Sequence, residues 1–295
     1  MPRLTSFVCV VFIASLLSTA QSFAASDDIK PVVVQHSASI ERVVDLKPST
    51  EIVGEKVMAE ILAGSLEFIV DAKATDIRID AEFTVDGTDE KDIERRAKVV
   101  KLFAQRVSDG TIVVNSMFPG KAMERDSVKV SIRVPASGDC AFKSASGAIV
   151  IRGTKGALRA TTKTGSIKVL DHTGGIEAVA TAGTITIERA TDGVRATSTS
   201  GAITVSLASN NDHPFDLESK SGAITVQVPH NYDGSVRMIS VDGAVALIDP
   251  SKRVRTPDIA DHSMTAEIGA AATHSLIESS SGAITLTIDV ETPVK

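Results

Sequence analysis

Three histidines in this 295-residue chain stand beside carboxylates and carboxamides: Asp171-His172, then Asn210-Asn211-Asp212-His213, then His230-Asn231 with Asp233. Imidazole nitrogen and carboxylate oxygen ligate first-row metal ions, and imidazole titrates near neutrality. Were these segments to lie side by side, His172, Asp212, His213 and His230 would make an edge able to hold a metal ion or sense pH. Turns also select Asn and Asp for backbone reasons alone, which is the plainer account of the same residues. A second set of charges, Arg159, Glu177, Arg195 and Arg237, shares one position of a repeat. Its mixed signs fit mutual pairing on a solvated face. They do not resemble the clustered Asp with Arg or Lys by which an enzyme cleaves acidic sugars.

The element that would align such segments is a short phrase occurring seven times: a small residue, Gly, then an apolar alternation, as in Ser146-Gly147-Ala148-Ile149 or Ser281-Gly282-Ala283-Ile284. Its glycines are Gly147, Gly165, Gly183, Gly201, Gly222, Gly243 and Gly282, at intervals of 18, 18, 18, 21, 21 and 39 residues. A near-constant period of this size marks a solenoid. Within a copy the apolar residues alternate, as in Ile203, Val205 and Leu207, which is the period of a strand with one buried face. Further glycines halfway between the marked ones, such as Gly156, Gly174, Gly175 and Gly193, divide each unit into two strands and two turns.

Alignment on the glycine predicts the core. Seven residues upstream stand Cys140, Leu158, Ile176, Val194, Phe215 and Val236; five upstream stand Phe142, Ala160, Ala178, Ala196, Leu217, Met238 and Ile277. Three upstream are small residues, Ser144, Thr162, Ala180, Ser198, Ser219, Ser240 and Ser279, suited to a coil that narrows before its turn. The glycine itself supplies either a positive φ or a place where coils approach closely. Stacked in parallel about 4.8 Å apart, successive units form ladders of Ile and Val inside and of Thr and Ser outside. At least about three units are needed to share one core.

The beginning of the chain has a different character. Arg3 precedes the apolar run Phe7 to Leu17, and Ser22-Phe23-Ala24 closes it, giving the charged head, apolar body and small-x-small cleavage site of a secretory signal. The run is too short for a permanent bilayer span. Residues 1–24 are therefore expected to be removed, leaving 271 residues (295 − 24) without a stable membrane span, outside the cytoplasm in the periplasm or at the cell surface. Cys9 lies inside the run, so a lipid-anchored cysteine is not expected. Cys140, in an inward slot, reads as a small buried hydrophobe and not as a nucleophile. A net charge of −6, or −7 without Arg3, argues against nucleic acid or an anionic membrane as partner. With no Trp, one Tyr and nine Phe, no aromatic platform for a sugar is visible. The chain also lacks a calcium nonapeptide, a phosphate-binding loop, a Gly-x-Ser-x-Gly elbow and paired zinc cysteines, so no cofactor is expected.

Residues 25–36 read as a loose leader and 37–139 as a β-rich cap on the first coil. The cap holds alternating runs at Ile40 to Leu46, Ser65 to Val70 and Asp76 to Ile79, then a helix near 88–98. Asp89, Glu90 and Asp92 suit the positive end of that helix, and Ile93, Ala97 and Val100 share a face. Asp109-Gly110 before Thr111-Ile112-Val113-Val114 predicts a hairpin. A strand from Ser127 to Val134 leads into the repeats at 140–290. Within these, 248–273 is irregular and reads as either a degenerate coil or a lid across the stack; 291–295 is a tail.

The order of these features resembles the bacterial putative-adhesin domain family over roughly residues 38–290. The shared features are Gly64-Ser65-Leu66-Glu67-Phe68, the charged helix, the Asp-Gly hairpin, Val134-Pro135 and the serial Ser-Gly-x-Ile coils. That resemblance implies a right-handed β-solenoid-like slab of an exported protein, with no catalytic residues to transfer. The expected fold is thus an all-β solenoid of two-strand coils with a β-rich cap containing one short helix. The expected function is a non-enzymatic binding or scaffold module of the cell envelope, whose partner is an envelope polymer or protein, or a second copy docked at a solenoid end. A polysaccharide-acting enzyme on a β-helix and a metal-responsive module are the alternatives.

Overall fold

Strands form wherever the alternation is strict, because one edge of each side chain row is buried and the other wet. The burial of Ile224–Val228 reads buried-exposed-buried-exposed-buried, and that of Leu158–Thr164 begins the same way. The computed structural model describes residues 36–48, 54–120, 123–209, 211–255, 258–270 and 273–290; the expected signal segment, residues 25–35 of the leader, Asn210 and the tail lie outside the described residues.

The strands build two sheets facing each other across one narrow core, one of 12 strands (sheet I) and one of 11 (sheet II). Each rung of the stack gives one strand to each sheet. Ser137–Ser146 with Ile149–Arg152 is one rung, followed by 158–170, 176–190, 194–207 and 215–228, all parallel and in register apart from one shift between Ile187 and Ala190. The inward columns are those expected: Cys140, Leu158, Ile176, Val194 and Phe215 are buried in sheet I, and Ile149, Ile167, Ile185, Ile203, Ile224 and Ile284 are fully buried in sheet II. Each aliphatic side chain so buried contributes about 1.5–3 kcal/mol. Among the described residues the one helix, Glu90–Ala97, is capped by the Asp89 side chain, which accepts from the Asp92 N–H at 2.8 Å. Arg96 from its last turn reaches the buried Asp126, which also accepts from the N–H groups of Asp86 and Met123 and so ties helix, strand and loop together. The Asp109-Gly110 hairpin joins Lys101–Arg106 to Ile112–Met117, with Gly110 at φ 86°.

Rung order departs from chain order at both ends. The rung made of Glu55–Ile61 and Gly64–Val70 lies between the rung 112–134 and the rung 137–152. Likewise the rung of His274–Ser279 and Ile284–Ile288 lies between 215–228 and 234–248, so the glycines stack as Gly222, Gly282, Gly243. The 39-residue interval is therefore a return. Within it, Asp258–Ala260 and Ser263–Ile268 form an antiparallel hairpin that extends sheet I beyond the strand Gly234–Ser240. That answers the choice between degenerate coil and lid with a third arrangement, chosen because it pairs the edge of that strand. The segment 37–139 supplies rungs and edge strands of the same two sheets, with His36–Leu46 and Ile77–Gly87 closing sheet II antiparallel at that end.

The repeat glycines serve close approach. A Cβ on Gly201 would stand 1.7 Å from the Gly183 carbonyl oxygen, and one on Gly282 would stand 2.0 Å from that of Gly222. The small residues upstream do more than fit. Ser219 Oγ accepts from the Gly222 N–H at 2.9 Å and donates to the Gly201 carbonyl at 3.4 Å, binding its own turn to the next. Ser198 and Ser240 repeat the arrangement, and all three hydroxyls are buried.

Candidate functional site

On the outside of sheet I a shallow groove of about 880 Å³ runs along the stack axis across seven strands, from Met58 to Leu276. Register assembles it. The outward residues Met58, Ala141, Arg159, Glu177, Arg195, Asp216 and Leu276 succeed one another strand by strand, and Ala157, Gly175, Gly193, Pro214 and His274 form the row beside them. Six rung steps of about 4.8 Å make the groove about 29 Å long. The expected pairing of the charged column is present: Arg159 Nη2 meets Glu177 Oε1 at 3.2 Å, and Arg195 Nη2 meets Asp216 Oδ2 at 2.9 Å. Arg237 shares the column but stands beyond Leu276, because the intercalated rung separates it from Asp216. These pairs are exposed, with 64% of the Arg159 side chain and 69% of that of Arg195 open to solvent, so they add at most about 1 kcal/mol each to stability.

The groove floor contains a residue that the backbone does not explain. In Gly174-Gly175, Gly174 has φ 123° and a Cβ there would stand 2.3 Å from the Gly156 carbonyl oxygen. Gly175 has no positive φ, and a Cβ on it would meet nothing within 4 Å. Sequence reasoning gave both the same role; the doubling itself was the available sign that one of them answers to something else.

The histidine edge is distributed along the stack. His172 is fully buried and bonds Thr154 Oγ1 through Nδ1 at 2.7 Å, while its backbone carbonyl accepts from Thr191. Its burial pushes its pKa down, against smaller opposing contributions from the Gly175 and Gly156 carbonyls. Asp171 points outward to a bidentate pairing with Arg189, which holds its carboxyl below the ordinary range. His213 is exposed, 3.5 Å from Asp192 Oδ1, and Asp212 is exposed beside it. Asn211 turns inward, donating to the carbonyls of Ala190 and Asp192 and accepting from the His213 N–H. The backbone carbonyl of His230 accepts from Arg253. His172 and His213 belong to turns two rungs apart, roughly 10 Å along the axis. Among the described residues no three His, Cys, Asp or Glu side chains gather in a set that would hold a metal ion. Asn210 lies outside the described residues.

Two further positions carry local chemistry. Cys140 is buried beneath the groove, and burial raises its thiol pKa to about 12. Ser275 occupies a core slot filled by apolar residues elsewhere. Its hydroxyl accepts from the Phe215 N–H at 3.1 Å and lies 2.9 Å from the hydroxyl of the buried Tyr232, whose ring fills the space. Sequence alignment passed over both Ser275 and Tyr232, since neither carries the repeat's pattern.

No curated protein matches the chain. Three solved structures resemble it at low identity. One is a putative adhesin from Bacteroides fragilis, at 14% identity and TM-score 0.43, covering 84% of this chain and 97% of that one. The second is a putative cell adhesion protein from Clostridium sporogenes, at 12% identity and TM-score 0.33, covering 84% and 99%. The third is a putative adhesin from Parabacteroides merdae, at 9% identity and TM-score 0.31, covering 85% and 96%. The Toastrack DUF4097 family model matches residues 122–287, more than half of the 295 residues and nearly all of the regular rungs, and the chain belongs to that family.

Proposed function

We propose that this protein is a non-enzymatic, adhesin-like β-solenoid that acts outside the cytoplasm as a binding and scaffolding module of the cell envelope. The observation that carries the reading is the uninterrupted outer surface of two sheets built from nine parallel rungs. Such a surface offers an extended partner many equivalent contacts while the core beneath stays fixed. The signal-like opening of the sequence supports its place outside the cytoplasm, and among the described residues no helix is long and apolar enough to cross a membrane. The domain reading goes with it: 1–24 is a removable leader, 37–139 a cap continuous with the stack, and 140–290 the repeat body.

The test is retention of the purified chain, freed of residues 1–24, on isolated envelope fractions. Saturable retention that falls when outward residues of one sheet are replaced is the expected result. No retention on any envelope component, or turnover of acidic polysaccharides by the purified protein, refutes the reading.

A further inference from the structure

We infer that the groove on sheet I is a binding site for an uncharged, linear, hydroxyl-rich polymer, a neutral glycan lying along the stack axis. This rests on the reading of the protein as an envelope-binding module and names the chemistry of its ligand.

Four observations select that chemistry. The groove crosses the strands, and the strands beneath it are hydrogen-bonded to neighbours on both sides, so a peptide has no free edge there for strand addition. Its three cations, Lys56, Arg159 and Arg195, are matched by three carboxylates, Asp139, Glu177 and Asp216, so a polyanion or polycation gains no net attraction. The two guanidinium–carboxylate pairs keep spare donors and lone pairs side by side across four successive strands of the groove. Hydroxyls, which donate and accept at once, complete both kinds of group. Three successive positions of the floor row, Ala157, Gly175 and Gly193, carry nothing larger than a methyl group before Pro214 and His274 rise at one end, which lets a chain lie close against the sheet over that stretch.

Gly175 is the independent sign. Neither its φ nor its packing requires glycine, since a side chain there would enter open space, and that space is the groove. A residue kept bare where the fold permits a side chain is accounted for by an occupant. Phe215 is buried and the His274 imidazole stands at one end of the groove, so the stretch over Ala157, Gly175 and Gly193 has no ring for stacking and the grip there comes from hydrogen bonds on a repeat. Affinity per sugar is then small, and binding grows with chain length.

The experiment titrates the full chain without residues 1–24 against linear neutral oligosaccharides of increasing length, β-linked glucans, chitin oligomers and α-glucans. Polygalacturonate and a mixed unfolded-peptide pool are the charged and protein arms. The expected result is binding to at least one neutral series that tightens with length. Gly175→Leu should weaken it about tenfold or more, as expected for loss of roughly 1.4 kcal/mol. Thr225→Gln, on the outside of sheet II, should leave it unchanged. The thermal midpoint of Gly175→Leu is recorded alongside, and Arg159→Gln with Glu177→Gln gives a second route to the same loss without added bulk. The proposal is overturned if no neutral glycan binds, if Gly175→Leu and the Arg159→Gln/Glu177→Gln variant both bind as tightly as the parent, or if only the peptide pool or polygalacturonate is held. Envelope retention that persists in Gly175→Leu removes the groove proposal and leaves the module reading standing; loss of all envelope retention in the parent removes the module reading first.

Discussion

Replacing Gly201 by Ala should damage the stack far more than the same change at Gly175, and the coordinates give the size. A Cβ on Gly201 falls 1.7 Å from the Gly183 carbonyl oxygen, whereas real Cβ contacts below 3.0 Å essentially never occur. The two turns must part by at least 1.3 Å (3.0 − 1.7). Beside them the Ile185 N–H donates to the Ala202 carbonyl at 2.9 Å, and Ser198 Oγ accepts from the Gly201 N–H at 2.9 Å. Added to 2.9 Å, that displacement puts the first bond at 4.2 Å, beyond hydrogen-bond reach. Each buried group left without its partner costs about 1–3 kcal/mol, and overpacking adds a similar amount. A loss of about 3–5 kcal/mol follows, which lowers the thermal midpoint by roughly 6–20 °C in a chain of this size. Gly175→Ala meets nothing within 4 Å and should stay within about 1 kcal/mol of the parent. Urea titration of both variants followed by far-ultraviolet circular dichroism measures the difference. A Gly201→Ala protein as stable as the parent, or a Gly175→Ala protein equally destabilised, refutes the close-approach account of the repeat.

Other variants test other parts of the frame. Asp126→Ala should cost about 3–5 kcal/mol in urea titration, because it removes the carboxylate that faces the buried Arg96 and accepts from two backbone N–H groups. His172 is buried with its pKa pushed below 6.5, so the unfolded chain takes up a proton first as pH falls. The stability associated with neutral His172 is complete above pH 6.5 and declines below it; a urea midpoint that drops from pH 7.5 to 5.5 more in the parent than in His172→Gln is the expected result. Cys140, with its thiol raised to about 12, should resist a disulfide reagent in the native protein and react promptly in urea. Tyr232→Phe removes the hydroxyl contact to Ser275 and should cost about 1 kcal/mol by thermal melting.

The rungs were legible because their cause is local. Glycine is required wherever neighbouring turns nearly touch, and the apolar alternation that follows it fixes which face is inside, so period and burial were both written into the residues from Cys140 to Ile248. The helix and the Asp109-Gly110 hairpin were legible for the same reason, through capping and turn chemistry. Rung order was not, because the phrase around Gly282 offers the same face to Gly222 as to any other copy. The one available sign was the outer column: Thr186, Thr204 and Thr225 continue to Thr285, whereas Ala246 of the intervening copy breaks the series. The histidines shared a turn position in the sequence, yet side-chain direction within a turn depends on single-residue shifts that the period does not record. His172 turned inward and His213 outward. The groove was hidden because its floor is marked by side chains that are missing, and Gly175 looks like any other glycine until its surroundings are known.

The crossed rung order also governs how the protein answers mechanical load. Tension applied through residue 290 does not meet an outermost coil that can be stripped away; it meets 274–288, laced on one flank to 215–228 and on the other to 234–248. Residues 55–70 are laced in the same manner near the opposite end. Extraction of either coil must shear two ladders at once, whereas His36–Leu46, an edge strand paired on one flank alone, can be peeled first, so the resistance to load differs between the two ends.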